Sequence, residues 1–128
     1  MAEEKQFENK VKAFLKEQGC WYLKTWSSGF QRAGVPDLIV CCNGHFIGVE
    51  VKATNGRLSD LQKYELKSIR MSGGKAIALY PDSFEEFKEY IHEILQQKGT
   101  QEKASRQKES DQGSFRMGRT ESKAQRSK

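Results

Sequence analysis

The sequence predicts an α/β fold, a mixed β-sheet flanked by helices, and three observations carry that prediction. An Asn43-Gly44 pair sits between two apolar runs, the strongest short-range signature of an antiparallel hairpin. Three stretches repeat apolar residues at helical spacing, one before the hairpin and two after it. One of those stretches separates the third strand-like run from the fourth, which permits a parallel crossover. The predicted order is α-β-β-β-α-β-α.

The first helix spans about residues 3–18, where Phe7, Val11, Phe14 and Leu15 recur on one stripe and Gly19 supplies a stop. Glu4 and Glu8 fall on the same stripe as Val11 and Leu15, so at least one carboxylate leans toward the protein. The plain alternative is a rim position with its carboxylate in water. Residues 20–26 read as an aromatic-rich strand, in which Trp21, Tyr22 and Trp26 are expected to be core rather than a base-stacking platform. Ser27 to Gly34 is a loop by composition. Pro36 opens the second strand, where a missing donor does no harm.

The Asn43-Gly44 pair suits a two-residue type I′ turn joining residues 37–42 to residues 45–53. Cys42 then faces His45, Val40 meets Ile47, Leu38 meets Val49, and Asp37 meets Glu50. Opposed Cβ atoms lie about 4.5–5.5 Å apart, and the period of two puts Lys52 on the face of Glu50. Like charges placed opposite each other destabilise a sheet, so this pair needs a cation, a shared proton or a nearby ammonium. Hard oxygen ligands without paired Cys or His suit Mg²⁺ or Mn²⁺ better than Zn²⁺. Taken singly, Asp37 could cap a turn, and Glu50 and Lys52 could decorate a wet face. Their place among Val49, Val51 and Ala53 makes that costly for two charges.

Thr54-Asn55-Gly56 turns the chain, and Leu58, Leu61, Leu66 and Ile69 line a second helix capped by Ser59 and ended by Gly73-Gly74. Lys75 to Tyr80 is a short apolar strand. After Pro81, a third helix carries Phe84, Phe87, Ile91, Ile94 and Leu95.

Residues 1–98 carry fourteen Lys/Arg and thirteen Asp/Glu, enough for one domain with a modest core. Residues 99–128 carry eight Lys/Arg against four Asp/Glu and little that is apolar, so a disordered basic tail is expected. A polyanion partner follows from that charge. Three cysteines, two of them the adjacent Cys41 and Cys42 on opposite strand faces, point to a reducing compartment without a disulfide framework. His45 and His92 lack zinc-site spacing. No apolar run approaches a membrane span, so an intracellular protein without a membrane partner is expected.

Gly34-Val-Pro-Asp37 followed by Gly48-Val-Glu-Val-Lys52 resembles the PD-(D/E)XK nuclease signature, with its restriction-endonuclease-like αβββαβ core, over roughly residues 4–96. Within that superfamily the chain most resembles VRR-NUC (virus-type replication-repair nuclease) modules, common in phage genomes, and is similar to archaeal-type Holliday junction resolvases. Residues 34–39, residues 42–53 and Leu58-Ser-Asp-Leu-Gln62 carry the closer match. The resemblance implies that Asp37, Glu50 and the Val51 backbone carbonyl hold metal, and that Lys52 orients or activates water. It further implies that Glu8 completes the site, with Glu4 an open alternative, and that Gln62 lines it. Lys24, Ser27, Ser28 and Arg32 match the region that meets DNA in resolvase relatives.

The function expected is therefore a Mg²⁺-dependent DNA endonuclease, with Mn²⁺ a substitute and no small-molecule cofactor. It would act on Holliday junctions or other branched DNA as a homodimer, in bacterial or phage-infected cytoplasm. The competing readings are a nuclease of flaps, nicks or ends, and a non-catalytic DNA-binding module. Arg57, Lys63, Lys67 and Arg70 read as the wet side of a helix.

Overall fold

A computed structural model describes residues 2–26 and 32–97. Ser27, Ser28 and the basic segment from Gly99 onward lie outside the described residues. The elements are α1 (Ala2–Glu17), β1 (Trp21–Lys24), β2 (Leu38–Cys42), β3 (His45–Val51), α2 (Asp60–Met71), β4 (Lys75–Leu79) and α3 (Phe84–Leu95). A 3-10 turn over Pro81–Ser83 leads into α3. The order is the one the sequence predicts.

The four strands form one sheet in the order β1-β2-β3-β4, with β1, β2 and β3 antiparallel and β4 parallel to β3. The hairpin register runs Leu38 opposite Val49, Val40 opposite Ile47 and Cys42 opposite His45, as counting outward from the turn requires. Asn43 and Gly44 have φ of 50° and 85°, the pair of positive values a type I′ turn demands. Asn43 is thus the one non-glycine residue held in this region among those described.

All four strands are shorter than expected, β4 by Tyr80 alone, and at one end of each of the other three a backbone donor is missing or used elsewhere. Cys20 N–H closes the end of α1 on the Leu15 carbonyl at 3.0 Å, so β1 starts at Trp21. Asp37 is not a ladder residue. Its side chain accepts the Val51 N–H at 2.9 Å, and with Pro36 unable to donate, β2 begins at Leu38 and β3 ends at Val51.

The β3–α2–β4 crossover is well punctuated. Ser59 caps α2 and forms a reciprocal capping box with Gln62. At the other end Gly73 N–H reaches the Arg70 carbonyl and Gly74 N–H the Ile69 carbonyl, both at 3.0 Å, the bonding of a Schellman stop. The helix lies close on the sheet because Gly48 has no side chain. A Cβ there would meet Ile69 Cδ1 at 2.8 Å and Pro36 Cγ at 3.0 Å.

One face of the sheet carries the main core, where Leu38, Val40, Ile47, Val49, Val51 and Leu79 pack against Phe7, Val11 and Leu15 of α1 and Phe87, Ile91 and Ile94 of α3. Cys42 is buried in it and Cys41 is exposed, as their alternation requires. The core expectation fails for two aromatics: Trp21 is 58% exposed and Trp26 69% exposed, while Tyr22 packs against the core. The opposite face is covered by α2 only over β3 and β4, so Trp21, paired with exposed Cys41, has no helix above it. Leu61 is also exposed, although its backbone touches Gly34.

Candidate active site

At the end of the sheet where β2 and β3 stop pairing, Lys24, Arg32, Asp37, Glu50 and Gln62 line a polar cleft of about 650 Å³ together with Lys5, Thr25 and Trp26. Five residues singled out from the sequence therefore converge. Each is delivered by a different piece of local structure. Lys24 ends β1, Asp37 is the hinge before β2, Glu50 sits on β3, and Gln62 belongs to the capping box of α2.

Thr25 steadies the Asp37 hinge from below. Its N–H donates to the Asp37 carbonyl at 2.8 Å and its hydroxyl to the Pro36 carbonyl at 2.7 Å. With Asp37 Oδ2 taken by the Val51 N–H, Oδ1 is left facing Lys24 Nζ at 3.7 Å. Glu50 is 3% exposed. Its Oε2 accepts from Gln62 Nε2 at 2.9 Å, whereas Oε1 is buried with nothing to bond to except a proton shared with Asp37. Burial first, then the negative charge of Asp37 and a hydrogen bond with it, push the Glu50 carboxyl up to about 8, with Lys52 pulling the other way.

Glu8 stands behind Lys24. Its side chain is buried, with Lys24 Nζ donating to Oε1 at 2.9 Å and Lys12 Nζ 3.4 Å from Oε2. Burial alone would raise its pKa, but the hydrogen bonds and charges of Lys24 and Lys12 outweigh it and the carboxyl is lowered. Lys24 is held above its ordinary value: burial lowers it, and Glu8 and Asp37 more than compensate. Glu4 is half-buried, and its charge is felt at Glu50. The structure thus separates the two helix-one acids, with Glu8 paired to the cleft lysine and Glu4 acting at a distance.

Lys52 flanks the cleft. Its backbone continues toward β4 through Lys52 N–H to the Leu79 carbonyl at 2.9 Å, and its stem lies against Gly56, whose added Cβ would meet Lys52 Cδ at 3.2 Å. The ammonium lowers the pKa of Glu50, yet makes no ion pair with a carboxylate among the described residues. Arg32 lines the cleft with a partner already on it. Its guanidinium grips both carboxylate oxygens of Glu65 at 3.0 Å, so its fork is already engaged.

The sequence does not single out Glu65 or Lys5, and its pattern assigns Trp26 to the core rather than to a stacking platform. Glu65 was findable, because it lies four residues before Ile69 on the inward stripe of α2 and is buried. Trp26 lines the cleft rather than the core, and nothing in a local pattern reveals that.

A hard divalent cation suits the residues present. The orphaned Glu50 Oε1 is a buried acceptor in need of a positive partner. Val51 adds a third oxygen. Its N–H turns toward β2 and the Lys52 N–H toward β4, so the Val51 carbonyl faces β2 at the register position of Pro36, which has no N–H to offer. Among the described residues no cluster of three or more His, Cys, Asp or Glu side chains forms a metal centre. Two carboxylates with retained water are the mode Mg²⁺ prefers.

A family model, that of the VRR-NUC domain, matches residues 3–82. The matched span contains Glu8, Lys24, Asp37, Glu50, Lys52 and Gln62. No curated protein matches the chain. Among the described residues no helix is long and apolar enough to cross a membrane.

Proposed function

This chain belongs to the VRR-NUC domain family, a nuclease domain of the PD-(D/E)XK type, and on that premise we propose that it is a Mg²⁺-dependent DNA endonuclease selective for branched DNA such as four-way junctions. The observation that carries the metal reading is the buried Glu50 Oε1, which no amine, amide or backbone donor reaches and which faces a second acid, Asp37. Asp37, Glu50 and the Val51 carbonyl would hold the ion, and Mn²⁺ would substitute for it. When bound, such an ion supplies charge neutralisation for the scissile phosphate and the departing oxygen.

The chain's own residues do the rest. Gln62 fixes the rotamer of Glu50 by donating to Oε2, and the Val51 N–H does the same for Asp37. Lys52, on a flexible stem beside the two acids, orients the attacking water as an ammonium, and as the neutral amine would take its proton. Lys24 and Lys5 present positive charge to the DNA backbone at the cleft wall. Arg32 is set at that wall by Glu65. Selectivity for branches would come from a homodimer presenting two such clefts to the two strands of a junction.

The test is a cleavage assay with labelled duplex, flap and four-way-junction DNA, in Mg²⁺ or chelator, beside Lys52→Ala. Expected are Mg²⁺-dependent incision strongest on the junction, and loss of cleavage with retained DNA binding in Lys52→Ala. Equal cutting in chelator would overturn the metal reading. Preference for flaps or ends would replace the branched substrate, and substantial turnover by Lys52→Ala would remove that residue from the chemistry.

A further inference from the structure

Asp37 and Glu50 offer four carboxylate oxygens, and two of them accept no hydrogen bond from a backbone or amide donor. Asp37 Oδ2 is taken by the Val51 N–H and Glu50 Oε2 by the Gln62 amide. Of the remaining pair, Glu50 Oε1 has nothing to bond to except a proton shared with Asp37, and Asp37 Oδ1 already faces the Lys24 ammonium at 3.7 Å. We propose that Lys24 is the built-in counter-charge of this site, so that tight uptake of a divalent cation by Asp37 and Glu50 waits on the arrival of a DNA phosphate. The inference rests on the reading of those two acids as cation ligands.

Lys24 is not a loose surface charge that swings aside. Its backbone is paired to Leu38, one residue from Asp37. Its ammonium is anchored at 2.9 Å on Glu8, a residue only 4% exposed, whose other oxygen is flanked by Lys12. A cation on Asp37 Oδ1 would therefore sit a few ångströms from a fixed like charge in a partly water-excluded cleft, where such repulsion is strong. An incoming phosphate changes the balance. It gives the ammonium and the cation a shared anion, producing an alternation of carboxylate, cation, phosphate and ammonium. By linkage, whatever the phosphate adds to cation affinity, the cation adds to phosphate affinity. A merely structural lysine, tying α1 to β1 through Glu8, would show no such coupling.

The experiment titrates Mn²⁺ by calorimetry into the full chain without DNA, comparing wild type with Lys24→Met, which keeps the stem and removes the charge. Lys24→Gln, which can still donate to Glu8, stands in if the first variant does not fold. Lys12→Met is the control, since it removes a charge from the same Glu8 on the side away from Asp37. Expected is Mn²⁺ affinity raised on the order of tenfold or more in the Lys24 variant, a change below about twofold in Lys12→Met, and weaker binding of four-way-junction DNA in chelator for the Lys24 variant. Unchanged or weaker Mn²⁺ affinity in a folded Lys24 variant overturns the inference, as does an equal gain from Lys12→Met. If no protein in the set takes up Mn²⁺ alone, the inference is also overturned, while Mg²⁺-dependent cleavage judges the metal reading separately. If wild type binds through Asp37, as loss in Asp37→Asn would show, and Lys24→Met binds no better, the metal reading stands and this inference falls.

Discussion

Glu8 and Glu50 are the same residue type and both almost without exposure, Glu50 lining the cleft and Glu8 behind its lysine wall, and their chemistry is opposite. Glu8 has two ammoniums on it and is lowered, whereas Glu50 has an amide on one oxygen and only a second acid facing the other, and is raised to about 8. Burial pushes both the same way, so it is the partners that decide. At Glu8 the protein itself balances the charge, through the Lys24 hydrogen bond on Oε1 and the Lys12 ion pair at 3.4 Å on Oε2, although Oε2 accepts no hydrogen bond. The Glu50 corner is left incomplete, and incompleteness of this kind marks a place for a ligand.

The largest way to break the comparison is to make both acids neutral. Glu50→Gln should lower cleavage roughly 10²–10³-fold or more, because it removes charge aimed at the reacting centre. In chelator its DNA binding should be unchanged or tighter. Retained cleavage at wild-type rate would show that the incomplete corner is structural after all.

Stability should move in opposite directions at the two acids. In metal-free protein the folded Glu50 carboxyl titrates near 8 against an ordinary value of 4.5, so the native state keeps a proton that the unfolded chain loses. Its contribution is fully present below the unfolded value and is lost as pH rises toward about 8. Glu8 has the reverse sign, its contribution present above the unfolded value and lost as pH falls through the lowered folded one. Denaturant unfolding in chelator at pH 6 and pH 9 checks Glu50, and the same measurement at pH 3 and pH 6 checks Glu8. Glu8→Gln should destabilise by about 1.5–3 kcal/mol by stripping hydrogen bonds from charged partners. Glu50→Gln should stabilise at pH 6 and more so at pH 9, and Mg²⁺ should restore wild-type stability more at pH 9 than at pH 6.

The smallest effect sharpens the comparison. Gln62→Ala removes one neutral donor from Glu50, so cation affinity by calorimetry should fall within about tenfold. A larger loss would mean that the amide does more than orient the carboxylate.

Much of this was legible in the sequence because it is local. The Asn43-Gly44 turn sets every pairing along the hairpin, the Ser59-to-Gln62 box places the amide, and Gly73-Gly74 ends α2, each within a few residues of its cause. What could not be read depends on tertiary packing. The pairing of Lys24 with Glu8 needs the packing of α1 against the end of β1, sixteen residues away in sequence. The Arg32 to Glu65 fork spans thirty-three residues. Trp21 and Trp26 were misread because an alternating pattern says which residues share a face, not whether a helix lies over that face. Asp37 was placed in a strand, whereas its side chain stands in for the backbone acceptor that ends one.

The turn residue Asn43 also ties its amide to the Ile94 carbonyl at the far end of α3, at 2.7 Å, so the loop is fixed in length as well as in shape. Inserting or deleting a single codon there would change the parity of the strand and exchange its oily and wet sides wholesale. Indel scanning should accordingly find this two-residue segment among the least forgiving places in the gene, and Asp in place of Asn, which loses the donor to Ile94, should also be costly.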